Sequence, residues 1–276
     1  MIAKLSKMTA TVHESRRAEL YRISHASNPN QPASFTTMSP SVDEAEHSAE
    51  MQLPYLHRLL QLRYPDLSPT QYPPLVPIMI GSTAPVVEAA FGRLLAPYIA
   101  DESNAFVISS DFCHWGSRFL HTFYMRGAPS PAMSPLTLPN GVIGSGRVAA
   151  AEDAHKSEIL SRGTNLHLTS KPLGGDAKVH ESIAHADRAC MCAIATGEFL
   201  EFQNALKMTE NTVCGRHPIG VFMAGVEEVE RLKREEGKGG DMEGKGRFRF
   251  VRYERSNDVV SVRDSSVSYV SAFAVI

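Results

Sequence analysis

At 276 residues the chain is long enough to bury one large core or two small ones. Hydrophobic residues make up 43% and charged residues 21%, which is ordinary for a globular protein, and a net charge of −2 gathers neither nucleic acid nor an anionic membrane surface. Four scattered cysteines are too few for a disulfide framework and point to cytosolic thiols, and no apolar run reaches the ~18–20 residues of a membrane span.

The start, Met1 to Met8, has basic residues but no apolar core, which argues against a secretory signal. Residues 26–40 carry turn-formers and no period, so they read as loop, and order is expected from near Ser41. Ser41 with Glu44 has the spacing of a capping box, which predicts a helix over about Asp43–Leu62. Its apolar positions Met51, Leu53, Leu56, Leu59, Leu60 and Leu62 repeat at helical spacing, and Pro54 must kink or split it. Leu75–Ile80 reads as a short buried strand in which Pro77 needs an edge or a bulge.

Residues 84–99 predict an amphipathic helix with Val86, Val87, Ala90, Phe91, Leu94 and Leu95 inward. Ala105–Ser110 reads as a second buried strand. Strand, helix and strand of these lengths predict a βαβ unit and a parallel sheet covered by helices. Residues 126–176, rich in Gly, Pro, Ser and Ala, read as a long flexible surface insertion. A helix is expected next over about 179–207, interrupted at Gly197, and another from Pro218 to about Glu235. Residues 235–246 read as a polar loop. Phe248–Arg255 and Ser265–Val275 alternate well enough to pair as antiparallel strands.

Three clusters could carry chemistry. Asp111 and His114 come after the second predicted strand, and in open α/β sheets ligands bind beyond the carboxyl ends of strands. Three residues apart, the carboxylate could orient the imidazole for acid/base work. The same spacing also fits an Asp that caps a helix beside a locally satisfied His. The second cluster is Cys214, Arg216 and His217. Pro218 suits a first helical turn, so Cys214 falls just before a helix amino terminus, where the dipole and Arg216 favour a thiolate ligand or nucleophile. A free Cys in a tight turn is also often simply core. The third cluster, Glu46, His47 and Glu50, could form a metal or acid/base group, although a solvated helix face is the commoner meaning. Cys190 and Cys192 point apart on a helix and make no metal pair. His13, His25, His180 and His185 read as surface residues. No Walker loop, dinucleotide fingerprint, His-Glu-x-x-His or Gly-x-Ser-x-Gly occurs, and no aromatic-interleaved basic stripe supports nucleic-acid binding.

Four segments, in order, resemble the signature blocks of the MEMO family, named for mediator of ErbB2-driven cell motility. They are Asp43-Glu-Ala-Glu-His-Ser-Ala-Glu-Met-Gln-Leu-Pro-Tyr55, Val107-Ile-Ser-Ser-Asp-Phe-Cys-His-Trp-Gly116, Asn211-Thr-Val-Cys-Gly-Arg-His-Pro-Ile-Gly220 and Asp264-Ser-Ser-Val-Ser-Tyr269. The resemblance spans roughly residues 34–124 and 179–275, and the insertion between them is similar to a variable loop of fungal members. It implies an α/β fold like the class III extradiol dioxygenases, a mixed central sheet flanked by helices. The expected layout is a poorly ordered segment 1–33 without family match, then a single domain over 34–276 with its insertion.

The resemblance implies a pocket that holds iron or copper on two histidines and one cysteine. Cys214 matches the cysteine ligand, Asp111 and His114 match pocket residues near the metal, and His47, Arg216 and His217 line the cavity. It also implies a cytoplasmic and nuclear location, a phosphopeptide or protein partner, and no particular reaction. The family's two histidine blocks, Pro-His-Ala-Gly and Gly-Pro-Ser-His-His, have no counterpart here. The first strands of the sheet are therefore expected to be missing, through an incomplete gene model, and iron or copper binding to be weak or absent in this chain. The alternative is a binding module that uses the same pocket for a peptide or other partner without catalysis.

Overall fold

A computed structural model describes residues 21–23, 35–128, 163–167, 170, 177–237 and 248–276. His13, His25, most of the expected insertion and most of the expected loop at 235–246 lie outside these residues. The structure is mixed α/β and divides into two compact units. The first holds residues up to Ser109 together with His217–Lys238, and the second holds Ser110–Arg216 with Gly239–Ile276.

In the first unit, three short strands form a mixed sheet. β1 (Tyr21–Ile23) lies between β2 (Phe35–Thr37), antiparallel to it, and β3 (Ile78–Ile80), parallel to it. β1 and β2 fall where the sequence shows no elements, because three residues are too few to establish an alternation. β3 is shorter than predicted and begins after Pro77, at the edge of this sheet, as a residue without a backbone donor requires.

The predicted helix 43–62 is two helices, α1 (Pro40–Ala45) and α2 (Leu53–Arg63). Pro40 and Pro54 each occupy a first turn, where the missing N–H costs nothing. The second helix therefore starts at Leu53, with Pro54 in its first turn, instead of bending there. Ser39, not Ser41, precedes the first helix, so the expected capping box does not form. Helix α2 keeps Gln52, Leu56, Leu60 and Tyr64 half-buried, while Met51, Tyr55, Leu59 and Leu62 on the adjoining stripe are exposed.

Helix α3 (Pro85–Ile99) occurs where expected and buries Phe91 and Leu95 as predicted, but its inward face is turned away from Val86 and Leu94. Glu88, Phe91, Gly92, Leu95, Ala96 and Ile99 are buried, whereas Val86 is 64% exposed. The reason is its packing on α6 (Arg216–Glu235). A Cβ on Gly92 would lie 2.7 Å from the Gly225 nitrogen and 2.8 Å from Ala224, so this approach of two helices requires a bare α-carbon. Phe35 packs on Phe91 and Phe106 on Phe222, closing the core of this unit.

The second unit is built on an antiparallel sheet of order β4-β8-β7, formed by β4 (His114–Trp115), β7 (Arg249–Arg255) and β8 (Ser266–Phe273). The closing pair matches the prediction closely. β5 (Phe123–Met125) pairs antiparallel with β6 (Gly163–Asn165), a strand inside the segment read as an insertion. Residues 105–110, expected as a parallel strand, join no ladder. The chain just beyond them bonds to β8 instead: Phe112 N–H donates to Ser268 O at 2.8 Å, and Ser268 N–H to Cys113 O at 3.0 Å. A short apolar run reads alike whether its backbone is paired or merely extended.

The helix expected over 179–207 is two, α4 (Val179–Thr196) and α5 (Phe199–Thr209), broken at Gly197 with φ +81°. The Glu181 carboxylate accepts the Lys178 N–H at 2.9 Å and starts α4. Buried Trp115, Tyr124, Val179, Ile183 and Val259 make one apolar cluster, and the Trp115 indole N–H donates to Phe123 O at 2.9 Å. Among the described residues, no helix is long and apolar enough to cross a membrane.

Candidate functional site

Two stretches of the second unit, residues 110–114 and 211–215, run side by side and are bonded to each other repeatedly. Helix α5 ends at Glu210, whose φ of +50° turns the chain into Asn211. Left-handed backbone costs a residue with a side chain roughly 1 kcal/mol, so the bonds made by residues 211–215 hold this turn in place. The Thr212 hydroxyl accepts the His114 N–H at 2.8 Å and donates to His114 O at 3.0 Å. Cys214 N–H donates to Asp111 O at 3.1 Å, and Asp111 N–H points at Cys214 Sγ, 3.4 Å away. Gly215 N–H donates to Ser110 Oγ at 2.9 Å.

These bonds set the Cys214 sulfur against the Asp111 backbone, while the Asp111 carboxylate faces the His114 imidazole. His114 Nδ1 lies 3.0 Å from Phe112 O, which only accepts, so the ring carries its proton on Nδ1. Nε2 then faces Asp111 Oδ2 at 3.6 Å. The far side of the imidazole packs edge-on against Phe119, itself covered by Arg118 at 4.4 Å. Gly116 comes next with φ +127°, where a Cβ would meet Asp264 O at 2.8 Å, so only glycine closes this turn. Asp264 holds the neighbouring loop by accepting the Val260 and Ser261 N–H groups, which keep its carboxyl below the ordinary value.

Cys214 is exposed, whereas Cys113, Cys190 and Cys192 are buried. Burial pushes the Cys113 thiol well up, with the charge of Asp187 adding to it, and pushes Cys190 to about 12. Burial thus keeps those two thiols protonated, and among the four cysteines Cys214 is the exposed one.

The other predicted site residues are placed differently. His47 belongs to the first unit and sits on an exposed turn after α1, not on a helix face shared with Glu50. Glu46 caps that turn, accepting Ser48 N–H, Ser48 hydroxyl and Ala49 N–H. Burial raises the Glu46 carboxyl, but these bonds and nearby His47 outweigh it and hold the group below its ordinary value. His217 also belongs to the first unit, where its Nδ1 donates to Glu88 Oε1 at 2.6 Å. Arg216 is exposed at the start of α6. Of the histidines read as surface residues, His180 bonds through Nδ1 to Val259 O at 3.1 Å.

Sequence reasoning missed Asp187, and it named Asn211, Thr212 and Ser268 only as members of the quoted blocks, without a role. Asp187 has a legible signal: it is the charged residue in the row Ile183, Asp187, Cys190, Ile194, which otherwise reads as the buried stripe of α4. Among the described residues, no three His, Cys, Asp or Glu side chains are grouped to hold a metal ion. The Cys214 thiol and the Asp111–His114 pair do not by themselves match the two-histidine, one-cysteine ligand set that the resemblance implies for iron or copper.

The family model described as Memo-like protein matches residues 10–273. A MEMO1 family protein of Schizosaccharomyces pombe is 37% identical over 243 residues, covering 87% of this chain and 63% of that protein. Protein MEMO1 of Xenopus tropicalis is 32% identical over 242 residues, covering 88% of this chain and 60% of its own length. The human Protein MEMO1 is 31% identical over 237 residues, covering 86% and 58%. The chain thus spans about three-fifths of the length of the curated relatives it matches.

Proposed function

Since the chain belongs to the Memo-like protein family, we propose that Asp111, His114 and Cys214 are its functional centre, the thiol side of a redox-metal pocket. The observation that carries this reading is the mutual hold of Asp111 and Cys214, in which each backbone N–H is directed at an acceptor of the other residue. That arrangement holds an exposed thiol at the backbone of the residue whose carboxylate faces the His114 imidazole. An N–H aimed at sulfur stabilises a thiolate, and a carboxylate next to an imidazole can steer a proton to or from a bound group.

Iron or copper, when held in such a pocket, supplies one-electron chemistry. In this chain Cys214 is the ligand offered to it, with His114 and Asp111 beside the ligand as acid/base groups. The class III extradiol dioxygenase-like architecture and a cytoplasmic and nuclear location belong to the same proposal. With one matching ligand, the chain holds the metal weakly, because such ions need several donors in a set geometry.

Equilibrium dialysis of the 276-residue chain against Fe(II) and Cu(I), then elemental analysis, tests this. The expected result is substoichiometric metal that Cys214→Ser removes. One metal per chain surviving dialysis, or binding indifferent to Cys214→Ser, overturns it. Binding of a phosphopeptide that ignores Cys214→Ser and Asp111→Asn would assign the partner role to another surface.

A further inference from the structure

Helix α4 buries one carboxylate completely. Asp187 is 0% exposed, on a helix face otherwise made of Ser182, Ile183, Ala186, Cys190 and similar small or apolar residues. Its Oδ1 accepts Cys113 N–H at 3.2 Å and the Asn211 side-chain amide at 2.8 Å. Its Oδ2 accepts the Tyr253 hydroxyl at 2.8 Å, and that hydroxyl lies 3.2 Å from Ser268 Oγ. Cys113 is flanked by Phe112 and His114, and Asn211 opens the segment that leads to Cys214. One buried oxygen atom therefore holds both stretches that carry the candidate site.

We propose that Asp187 is the positioning residue of the Asp111–His114–Cys214 site, fixing the separation of segments 110–114 and 211–215 through Oδ1. The proposal rests on reading that site as functional. Cys113 and Asn211 are 74 and 24 residues from Asp187 in the chain, yet a single atom on a rigid helix reaches both. From these two anchors the cross-bonds of Thr212 and Cys214 fall into register, and the Phe112 carbonyl meets His114 Nδ1.

A carboxylate is a costly choice for mere filling. Removing it from water disfavours its charge, and burial does push the Asp187 carboxyl up despite its hydrogen-bond donors. An apolar residue could fill the space without that cost. A carboxylate oxygen can accept two donors from two segments at once, which no apolar residue does.

The exposed thiol makes the test direct, since the other three cysteines are buried. Iodoacetamide labelling of the full chain, read by mass spectrometry, reports Cys214. The two-bond ¹H–¹⁵N spectrum reports whether His114 keeps its proton on Nδ1. Asp187→Ala removes both ties. Should that variant fail to fold, Asn211→Ala removes one tie and leaves the carboxylate. Tyr253→Phe removes only the Oδ2 contact.

The expected result is that Asn211→Ala slows Cys214 labelling about tenfold, the scale of one lost charge-assisted hydrogen bond. It also replaces the Nδ1–H signature of His114 with a mixture. Tyr253→Phe lowers the melting temperature and moves neither signal. If Asn211→Ala lowers the melting temperature as Tyr253→Phe does, with labelling within about twofold of wild type and His114 unchanged, Asp187 is core and the proposal falls. Failure of the site reading would look different: Asn211→Ala would still move both signals while Cys214→Ser left metal binding untouched.

Discussion

Two carboxylates are deeply buried among the described residues, one in each unit, and they are satisfied in different ways. Glu88, 2% exposed on α3, bonds to the His217 imidazole at the start of α6. Asp187 is met by neutral donors: a backbone N–H, an amide and a hydroxyl, each from a separate segment. Glu88 lies one turn before Gly92, where α3 and α6 approach most closely, so its bond fastens two helices already packed. Asp187 instead joins two non-helical segments and strand β7, which come from far apart in the chain. A carboxylate between helices adds strength to a contact, and a carboxylate among loops decides where they are.

The sharpest break of this comparison is Asp187→Ala. It leaves Asn211, Tyr253 and Cys113 N–H with one partner fewer in a buried place, at an expected cost of about 3–5 kcal/mol in chemical unfolding. A cost below about 1 kcal/mol, the scale of an ordinary exposed change, would show that the loops are held by other means.

Glu88→Ala is expected to cost less, about 2–3 kcal/mol, because the apolar contact of α3 with α6 persists without it. Labelling of Cys214 should be unchanged in this variant. A loss equal to that of Asp187→Ala would erase the distinction between a bond that strengthens and a bond that positions.

The smallest effect concerns pH. His121 is buried, and desolvation lowers its imidazole below the ordinary 6.5, only partly opposed by Glu210. A depressed folded value means that the unfolded chain binds the proton more readily. The stability it contributes is therefore complete above pH 6.5 and is lost as pH falls through the folded value. Asp187 acts in the opposite sense: its raised carboxyl gives a contribution present below 3.8 and lost as pH rises through its folded value. Melting temperatures of His121→Gln measured downward from pH 6.5 should show a flatter fall than wild type. An unaltered slope would remove His121 as its source.

Much of the architecture was legible in the chain. The break at Gly197, the first-turn Pro218 of α6 and the two closing strands occur close to where turn chemistry and alternation put them. Asp111, His114 and Cys214 were singled out by type and setting; the fold faces the Asp111 carboxylate to the His114 imidazole and bonds the Asp111 backbone to Cys214. The inward face of α3 was misjudged because Val86 is more hydrophobic than Glu88. A buried Glu makes sense only once His217, far along the chain, is known to reach it. The strand expected at 105–110 failed for a related reason, since an apolar run does not say whether a neighbour will bond its backbone.

The amino-acid sequence by itself determined the family, through four ordered blocks, and the extent of most helices, through a period that any turn of helix repeats. Only the tertiary structure decided that Asp187 holds Cys113 and Asn211, and that Asp111 and Cys214 hold one another. The physical reason is distance along the chain. Helical period and capping are set within a few residues of each other, so they leave a local trace. A hydrogen bond across 74 or 103 residues depends on how the intervening chain packs, and neither partner's neighbourhood names the other, even where a lone charge such as Asp187 stands out in a buried stripe. The opening turn of α6 shows both: its start is written in Pro218, and the thiol before it is placed by Asp111.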